Sequence, residues 1–302
     1  MDVDVDVDVA QGAVLGERRR LTNLTYRFLG SLTEAEDAVQ ETYARWYAMS
    51  PGRQAAVEKP GAWLTAVASR ICLDQLGSAR ARRESYVGEW IPEPLPDRTR
   101  GAGSAAADDP ADRITLDESV SMAFLVVLES MTPAERVAFV LHDVFRYAFA
   151  EVAEILGRTP AACRQLASSG RGRVRAARTA TTGPAQQAVL VSDFKRAWQT
   201  QDITALVGLL DPDATMTADG GGVVAAALHP VVGGEKIAQY LAFFAQKATG
   251  LVLLERTVNG APGLVAEVGG APATVAAFGC ADGRVTHIWA VRNPEKLGAW
   301  AG

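Results

Sequence analysis

The first part of the chain has apolar residues at helical spacing. Leu21, Leu24 and Phe28 begin the pattern, and it continues to about residue 49. Pro60 opens a further helix, whose apolar positions extend as far as Leu76. These elements predict a first, all-helical domain over residues 13–85.

A helix start is marked within this domain by polar residues. Thr33 is followed three positions later by Glu36, which is the spacing of a capping box. We therefore expect a helix that begins near residues 32–34 and ends near Met49.

Residues 86–111 have the character of a linker because prolines and glycines replace the helical pattern. The segment that begins at Tyr86 and ends at Pro96 also contains Trp90 and Ile91, and spacers rarely carry such residues so close together. An extended, proline-stiffened segment with apolar side chains indicates a stretch that binds to another surface.

Helical spacing returns over residues 112–180, where Thr132-Pro133 starts one helix. A short helix, Phe149–Leu156, is followed by Gly157 and by a helix that begins at Thr159-Pro160. This spacing is typical of a helix-turn-helix, and an ordinary helical hairpin with a basic solvated face is the alternative. In the helix-turn-helix interpretation the outward positions of the second helix enter the major groove; they are Thr159, Ala162, Arg164, Gln165 and Ser168, with Arg171 and Arg173 beyond them on phosphates.

The last third of the chain has a mixed pattern. One helix is expected from about Gln187 to Leu210. Short apolar stretches at Thr274–Gly279 and Arg284–Arg292 indicate strands joined by the turn Asp282-Gly283. Residues 186–302 therefore predict an α+β domain.

Composition adds limits to this picture. The chain has 302 residues, an apolar share of 48% and a net charge of −5. Residues 1–12 start with alternating Asp and Val and predict a disordered tail. Arginine is concentrated in two clusters, at residues 80–83 and 158–178, with an acidic stretch between them, so the charge distribution is compatible with nucleic acid although the sum is negative.

Cysteine, histidine and hydropathy exclude several functional classes. The three cysteines lie far apart and are interpreted as buried apolar groups in a reducing cytoplasm. Three histidines give metal catalysis little to build on, and we expect no cofactor. That the chain is not an enzyme is implied by the family resemblance described below. No apolar run is long enough to span a bilayer, so no membrane partner is expected.

Three segments occur in an order that resembles a known family. Ala35–Trp46 resembles the polymerase-binding helix of extracytoplasmic-function (ECF) sigma factors, and Pro60–Leu76 resembles the promoter −10 recognition segment that follows it. The helix-turn-helix corresponds to the −35 reading domain. The resemblance implies that the partners are promoter DNA and core RNA polymerase, contacted at the β′ clamp helices and the β flap. It places Asp37, Gln40 and Glu41 on the polymerase, and at the −10 element Arg70, Asp74, Gln75, Arg80, Arg82 and Arg83.

Family members ordinarily end after the helix-turn-helix, whereas residues 187–302 resemble the SnoaL-like (nuclear-transport-factor-2-like) cone. The whole chain resembles the SigJ-like subgroup, in which two all-α domains precede a fused SnoaL-like domain that regulates sigma activity in cis. Its regulatory residues lie in the linker, in a glycine turn and in the tail: Tyr86, Trp90, Pro92, Asp219, Gly220, Gly221, Gly222, Asn293, Pro294, Lys296 and Leu297. We expect the linker to be clasped between the C-terminal domain and the first helical domain, and the glycine turn to be flexible with free N–H groups. The alternatives are that Asp219–Gly222 is only a hairpin turn and that Asn293-Pro294 only ends the last strand.

Two other functions fit parts of the sequence. One is a SnoaL-like enzyme fused to a DNA-binding module, with Asp219, His229 or His287 in its pocket, and the other is a DNA-binding protein that does not bind polymerase. A small-molecule ligand in the C-terminal pocket would suit a sensor better than an enzyme. The −35 helix departs from the family at Gly170 and Gly172, where we expect fraying because interior glycines cost about 1 kcal/mol each relative to alanine.

Overall fold

The computed structural model describes residues 14–84, 86–96, 121–177 and 182–301. Contacts divide the chain into two units. Met1–Arg82 and Val127–Ala176 form the first, which we call the helical unit, and Arg83–Val126 and Ala177–Gly302 form the second, which we call the C-terminal unit. The tail at residues 1–12 and most of the acidic part of the linker lie outside the described residues.

The first half of the helical unit contains helices α1 (Arg18–Leu29), α2 (Leu32–Tyr47), α3 (Pro51–Ala55) and α4 (Pro60–Glu84). Their apolar sides form a common core whose buried members are Val14, Leu21, Val39, Trp46, Leu64 and Ala68. Trp63 packs edge-on against Trp46 with ring centroids 5.2 Å apart, as befits a core residue.

The start of α2 differs from the expected cap. Ser31 is the N-cap residue, in an extended conformation, and its hydroxyl accepts a hydrogen bond from the Glu34 N–H. The capping box expected at Thr33 and Glu36 is therefore wrong by two residues. The same polar spacing occurs at Ser31 and Glu34, and the exposed Thr33 lies within the first turn.

After the linker the chain forms a second group of helices. They are α5 (Met122–Glu129), α6 (Pro133–Phe139), a π turn (Val140–Val144), α7 (Phe149–Leu156) and α8 (Pro160–Ala177). Thr132 caps α6 in a reciprocal capping box with Glu135, so the predicted start is confirmed. Gly157 ends α7 in the left-handed region at φ +62°, and the Thr159 hydroxyl accepts from the Ala162 N–H at 3.2 Å. The predicted helix-turn-helix is thus formed.

The expected fraying at Gly170 and Gly172 is wrong, because α8 continues through both. Gly170 is buried, and a Cβ atom at this position would lie 2.8 Å from the Phe139 Cβ. The glycine therefore permits α8 to approach α6 closely. Gly172 has nothing within 4 Å of such an atom and has no packing role.

The C-terminal unit begins with two helices rather than the one expected from Gln187 to Leu210. Helix α9 (Pro184–Gln199) ends before Gln201, which has φ +53°, and α10 (Ile203–Leu209) starts after Asp202. The Asp202 carboxylate caps α10 by accepting from the Ala205 N–H at 2.9 Å. The break reverses the chain between two helices that pack against each other.

A six-stranded sheet follows, in the order β2-β1-β6-β5-β4-β3. Its strands are β1 (Leu210–Asp219), β2 (Val231–Val232), β3 (Val252–Val258), β4 (Ala261–Val268), β5 (Ala271–Ala281) and β6 (Arg284–Val291), with helix α11 (Gly234–Lys247) between β2 and β3. Strands β1 and β6 are parallel and the other pairs antiparallel. Two 3-10 turns, Pro294–Lys296 and Gly298–Trp300, end the chain. The predicted strands Thr274–Gly279 and Arg284–Arg292 correspond to β5 and β6 and are confirmed, although β6 ends at Val291. In the turn between them, Asp282 and Gly283 have positive φ.

Alternating side chains give the sheet two buried faces. On one, which we call the helix-covered face, residues such as Ala276, Phe278 and Ile288 pack against α9, α10 and α11. On the other, which we call the linker-covered face, residues such as Val275 and Val291 pack against Ile91, Met122 and Leu297. The expected architecture of all-α domains followed by an α+β cone-shaped domain is confirmed. Among the described residues, no helix is long and apolar enough to cross a membrane.

Of the two glycines of α8, Gly170 packs closely on another helix and Gly172 does not. A pair of alanine substitutions tests this difference. Gly172→Ala is expected to stabilise the helical unit by about 1 kcal/mol through helix propensity. Gly170→Ala is expected to destabilise it by about 1–2 kcal/mol, because its Cβ would overlap Phe139 and overpacking exceeds the propensity gain. Urea unfolding followed by circular dichroism measures both, and equal stabilisation by the two variants would contradict the close contact.

Candidate functional site

The linker segment, residues 86–96, lies against the C-terminal unit, and a buried carboxylate holds it there. Asp219 ends β1 and is fully buried. Its Oδ1 accepts from the Tyr86 hydroxyl at 2.6 Å and from the Gly221 N–H at 3.0 Å. Its Oδ2 accepts from the Ile91 N–H at 3.0 Å and from the Lys296 ammonium at 2.7 Å. These four donors occupy the lone pairs of a carboxylate, so its burial leaves no acceptor position unused.

Lys296 completes the arrangement from the end of the chain. Its side chain is 10% exposed, and its Nζ donates to the Ile91 carbonyl as well as to Asp219. The same Nζ lies 4.0 Å from the centroid of the Trp90 ring, a cation–π contact. The ion pair therefore holds the peptide groups on both sides of Ile91, while the Ile91 side chain packs on the linker-covered face.

Asn293 and the glycine turn bring these groups together. The Asn293 side chain donates to the Tyr86 hydroxyl at 3.1 Å and accepts from the Glu295 N–H at 3.1 Å, which caps the turn that carries Lys296. The backbone N–H of Asn293 donates to the Asp219 carbonyl. Burial raises the pKa of the Tyr86 phenol above its ordinary value, and the hydrogen bond to Asp219 raises it further, so Tyr86 remains a neutral donor at neutral pH. We call Asp219, Asn293 and Lys296 the linker-binding site.

The turn after Asp219 is compact, contrary to the expectation of flexibility and free N–H groups. The Gly221 N–H is bound to Asp219, and Gly220 accepts from two following N–H groups. Gly221 has φ +65°, and a Cβ there would lie 2.5 Å from the Asn293 side chain. Gly222 has φ +72°, and a Cβ there would lie 3.0 Å from the Val87 Cβ. The glycines therefore make room for Asn293 and for the linker segment.

The remaining linker residues predicted to be regulatory have simpler positions. Pro92 is buried, Pro294 opens the turn after Asn293, and Leu297 packs on the linker-covered face. The structure thus gathers the predicted linker, glycine-turn and tail residues in one unit.

Sequence reasoning missed three contacts of this region. Asn259 exchanges hydrogen bonds with Leu95 at 2.9 and 3.1 Å, and the Trp300 indole donates to the Pro94 carbonyl at 2.8 Å. Met122, at the start of α5, packs on the linker-covered face. A local signal existed for Asn259 alone, since Asn259-Gly260 is a strong turn dipeptide.

In the helical unit, the predicted polymerase-binding residues share the outer side of α2. Asp37, Gln40 and Glu41 are all exposed, whereas Ala38 between them is buried. Glu41 pairs with Arg45 at 2.9 Å, one turn further along the helix. The outer side of α2 is therefore acidic and exposed to solvent, and its inner side is packed in the core.

The predicted −10 residues lie on α4. The Arg70 guanidinium donates to the carbonyl oxygens of Glu154 at 2.9 Å and Ile155 at 3.4 Å, at the end of α7. Asp74 is exposed, and the buried Oε1 of Gln75 has no hydrogen-bond partner within the described part of the chain. Arg80, Arg82 and Arg83 lie on α4, but their side chains fall outside the described residues.

The predicted −35 residues form an exposed strip on α8. Thr159, Arg164, Gln165 and Ser168 are exposed, and Ala162 is half-buried. The two later arginines are engaged within the helical unit: Arg171 bonds to Asp143 at 2.9 Å, and Arg173 lies 3.7 Å from Glu135.

Family comparisons match both helical segments. The Sigma-70 region 2 family model matches residues 14–82, and the Sigma-70 region 4 family model matches residues 121–174. The ECF RNA polymerase sigma factor SigJ of Mycobacterium tuberculosis is 38% identical over 294 residues, which cover 93% of this chain and 90% of that protein. The probable ECF sigma factor SigI of the same species is 34% identical over 293 residues, which cover 96% of this chain and 95% of that protein.

A solved structure agrees with these matches. The crystal structure of M. tuberculosis SigJ superimposes with a TM-score of 0.73 at 35% identity, over 94% of this chain and 96% of that one. The similarity therefore includes the C-terminal unit as well as the two helical segments.

The linker-binding site makes a direct prediction about exchange of the Ile91 amide. Asp219→Asn replaces an acceptor for four donors by an amide and removes the buried carboxylate that pairs with Lys296, a change worth about 3–5 kcal/mol. We expect amide hydrogen exchange in the peptide of residues 86–96 to accelerate about 100-fold or more, as measured by mass spectrometry.

The matched control is Glu255→Gln, which removes an exposed ion pair to Lys195 worth about 0–1 kcal/mol. It should leave exchange of the same peptide unchanged. Equal exchange in Asp219→Asn and the parent protein would show that the carboxylate does not hold the linker.

Proposed function

Because this chain belongs to the ECF RNA polymerase sigma factors, which direct promoter-specific transcription initiation, we propose that its C-terminal unit regulates this activity in cis by holding the linker segment. The observation that carries the proposal is the buried Asp219 carboxylate, which accepts from both Tyr86 and Ile91 of the linker. A separate regulatory protein is not needed for such a contact, because both partners are in one chain.

The linker is the covalent connection between the region 2 and region 4 segments, and one residue of the linker and one residue of the region 4 segment contact the same sheet face. Ile91 and Met122 both pack on the linker-covered face, in one cluster with Val275 and Val291. Met122 lies within the residues matched by region 4. In the proposed mechanism, holding the chain at both of these residues limits how far the two promoter-reading segments can separate, and release of the linker removes that limit.

The contacts of Arg70 support a restrained form. Its guanidinium, assigned to the −10 element by family resemblance, is bound to two carbonyl oxygens of α7, the helix before the recognition helix. Tyr147 adds a second contact of this kind by donating to the Thr65 hydroxyl at 2.8 Å. We propose that binding of Arg70 to promoter DNA requires it to leave these carbonyls.

Polymerase and DNA are assigned to different helices of the helical unit in the proposal. Asp37, Gln40 and Glu41 bind the β′ clamp helices through exposed acidic and amide groups. The exposed strip of α8 contributes Arg164 and Gln165 to the edges of −35 bases. Region 4 also meets the β flap in this assignment.

The acidic side of α2 predicts the effect of charge reversal on polymerase binding. Asp37→Arg with Glu41→Arg places repulsive charge at the proposed contact, and we expect binding to purified core polymerase to weaken at least about 10-fold. A binding titration with labelled protein measures the change. Glu235→Arg with Glu255→Arg changes the net charge equally at exposed positions of the C-terminal unit and should bind like the parent.

Release of the linker predicts a change in transcription. Asp219→Asn and Tyr86→Phe should each raise transcript output from a promoter library with core polymerase. A restraint of about 1 kcal/mol corresponds to an increase of about 5-fold, which is the least that we expect for Asp219→Asn. Glu255→Gln is the control. Unchanged output in both linker variants would refute regulation through this contact, and lower output would show that the held linker belongs to the active form.

A further inference from the structure

The helix-covered face of the C-terminal unit encloses a cavity separate from the linker-binding site. It contains about 480 Å³ of unfilled space when the solvent at its mouth is included, and about 30 Å³ of this admits the centre of a water-sized molecule. Five aromatic side chains form much of its wall: Phe194, Trp198, Tyr240, Phe244 and Phe278. The polar groups at its lining are few and include Thr274 and Arg292. An apolar cavity with a small number of placed polar groups is the usual form of a small-molecule site.

Strand register places Thr274 and Arg292 side by side. Val275 of β5 is paired with Val291 of β6, and Ala276 with Ala290, in antiparallel register. The next cross-strand neighbours in that register are therefore Thr274 and Arg292. Directly opposed residues have their Cβ atoms about 4.5–5.5 Å apart. Their side chains follow the alternation that directs Ala276 and Ala290 to the cavity.

Both side chains have an unused hydrogen-bond donor. Thr274 is 7% exposed, and its buried Oγ1 has no hydrogen-bond partner among the described residues. The buried Nε of Arg292 is also without a partner there. A buried polar group left unpaired costs about 1–3 kcal/mol, so an acceptor that reaches both donors would be bound favourably.

The charge of Arg292 is not neutralised by a carboxylate within the described part of the chain. Its Nη1 donates to the Ala225 carbonyl, and its guanidinium lies 4.7 Å from the centroid of the Phe244 ring. Burial lowers the pKa of Arg292, because the cation has lost part of its solvation. An anion at this position would restore the favourable interaction that desolvation removes.

We propose that this cavity binds a small aromatic carboxylate, with the ring among the aromatic walls and the carboxylate on Arg292 Nε and Thr274 Oγ1. A planar ring matches walls built from Phe194, Trp198 and Phe278 through stacked and edge-on contacts. The carboxylate accepts from both donors at once, which a neutral acceptor with one oxygen does less well. The site lies entirely within the C-terminal unit, so the proposal stands independently of the proposed regulation of transcription.

The experiment compares two probes of equal shape on the full chain by isothermal titration calorimetry. 1-Naphthoate carries the carboxylate, and 1-naphthamide replaces it by a neutral amide. We expect naphthoate to bind with a Kd below about 1 mM and about 10- to 100-fold more tightly than naphthamide, the range for a hydrogen bond to a charged group.

Two variants locate the anchor. Arg292→Gln should reduce the affinity for naphthoate to that for naphthamide, and Arg256→Gln, an exposed arginine on β3, is the matched control that should bind like the parent. Thr274→Val keeps the shape of the side chain, removes the unpaired hydroxyl and should weaken naphthoate binding several-fold without unfolding the domain.

Three results would overturn the proposal. They are the absence of naphthoate binding at millimolar concentration, equal affinity for naphthoate and naphthamide, and unchanged naphthoate affinity in both Arg292→Gln and Thr274→Val. Since the measurement involves neither polymerase nor DNA, its failure leaves the proposed regulation untouched, and failure of that regulation leaves the ligand site untouched.

Discussion

The buried ion pair between Asp219 and Lys296 is the interaction on which the C-terminal unit depends. A buried charge is costly unless its partners are complete, and here two of the four donors to Asp219 come from the linker. Without Tyr86 and Ile91 the carboxylate would be left half-satisfied in an apolar environment. The linker segment is therefore a structural part of this unit, although it precedes the unit in sequence and adjoins the first helical segment.

The same strands serve two sites because their side chains alternate between the two faces. At the end of β6, Val291 packs on the linker-covered face, Arg292 lines the cavity, and Asn293 belongs to the linker-binding site. The backbone N–H groups of Arg292 and Asn293 both donate to the Asp219 carbonyl, at 2.7 and 2.9 Å. A displacement of this strand end would reach the cavity and the linker together, which gives a physical path by which occupancy of the cavity would alter the hold on the linker.

Most of the correct sequence-based predictions depend on residues that lie within a few positions of one another. The helix-turn-helix depends on Gly157, Thr159 and Pro160, whose backbone preferences act within a few residues. The linker, by contrast, was predicted to bind a surface, but its contact with Asn259 spans more than 160 positions and has no local signal at Leu95. At Gly170 a local argument gave a wrong prediction, because low helix propensity suggested fraying. The residue is instead explained by close packing on Phe139, which only the three-dimensional structure shows.

In the proposed mechanism, Arg70 is restrained by competition for its one guanidinium. Its planar donors are bound to the carbonyl oxygens at the end of α7, and a guanidinium has no orientation in which it keeps both of these and also binds a base or phosphate through the same N–H groups. Promoter binding through Arg70 would therefore have to exceed the free energy of these contacts and of those made by Tyr147. Each charge-assisted bond to a carbonyl is modest, and in the proposed mechanism the multiply charged DNA backbone replaces these bonds once the connecting linker permits the two segments to separate.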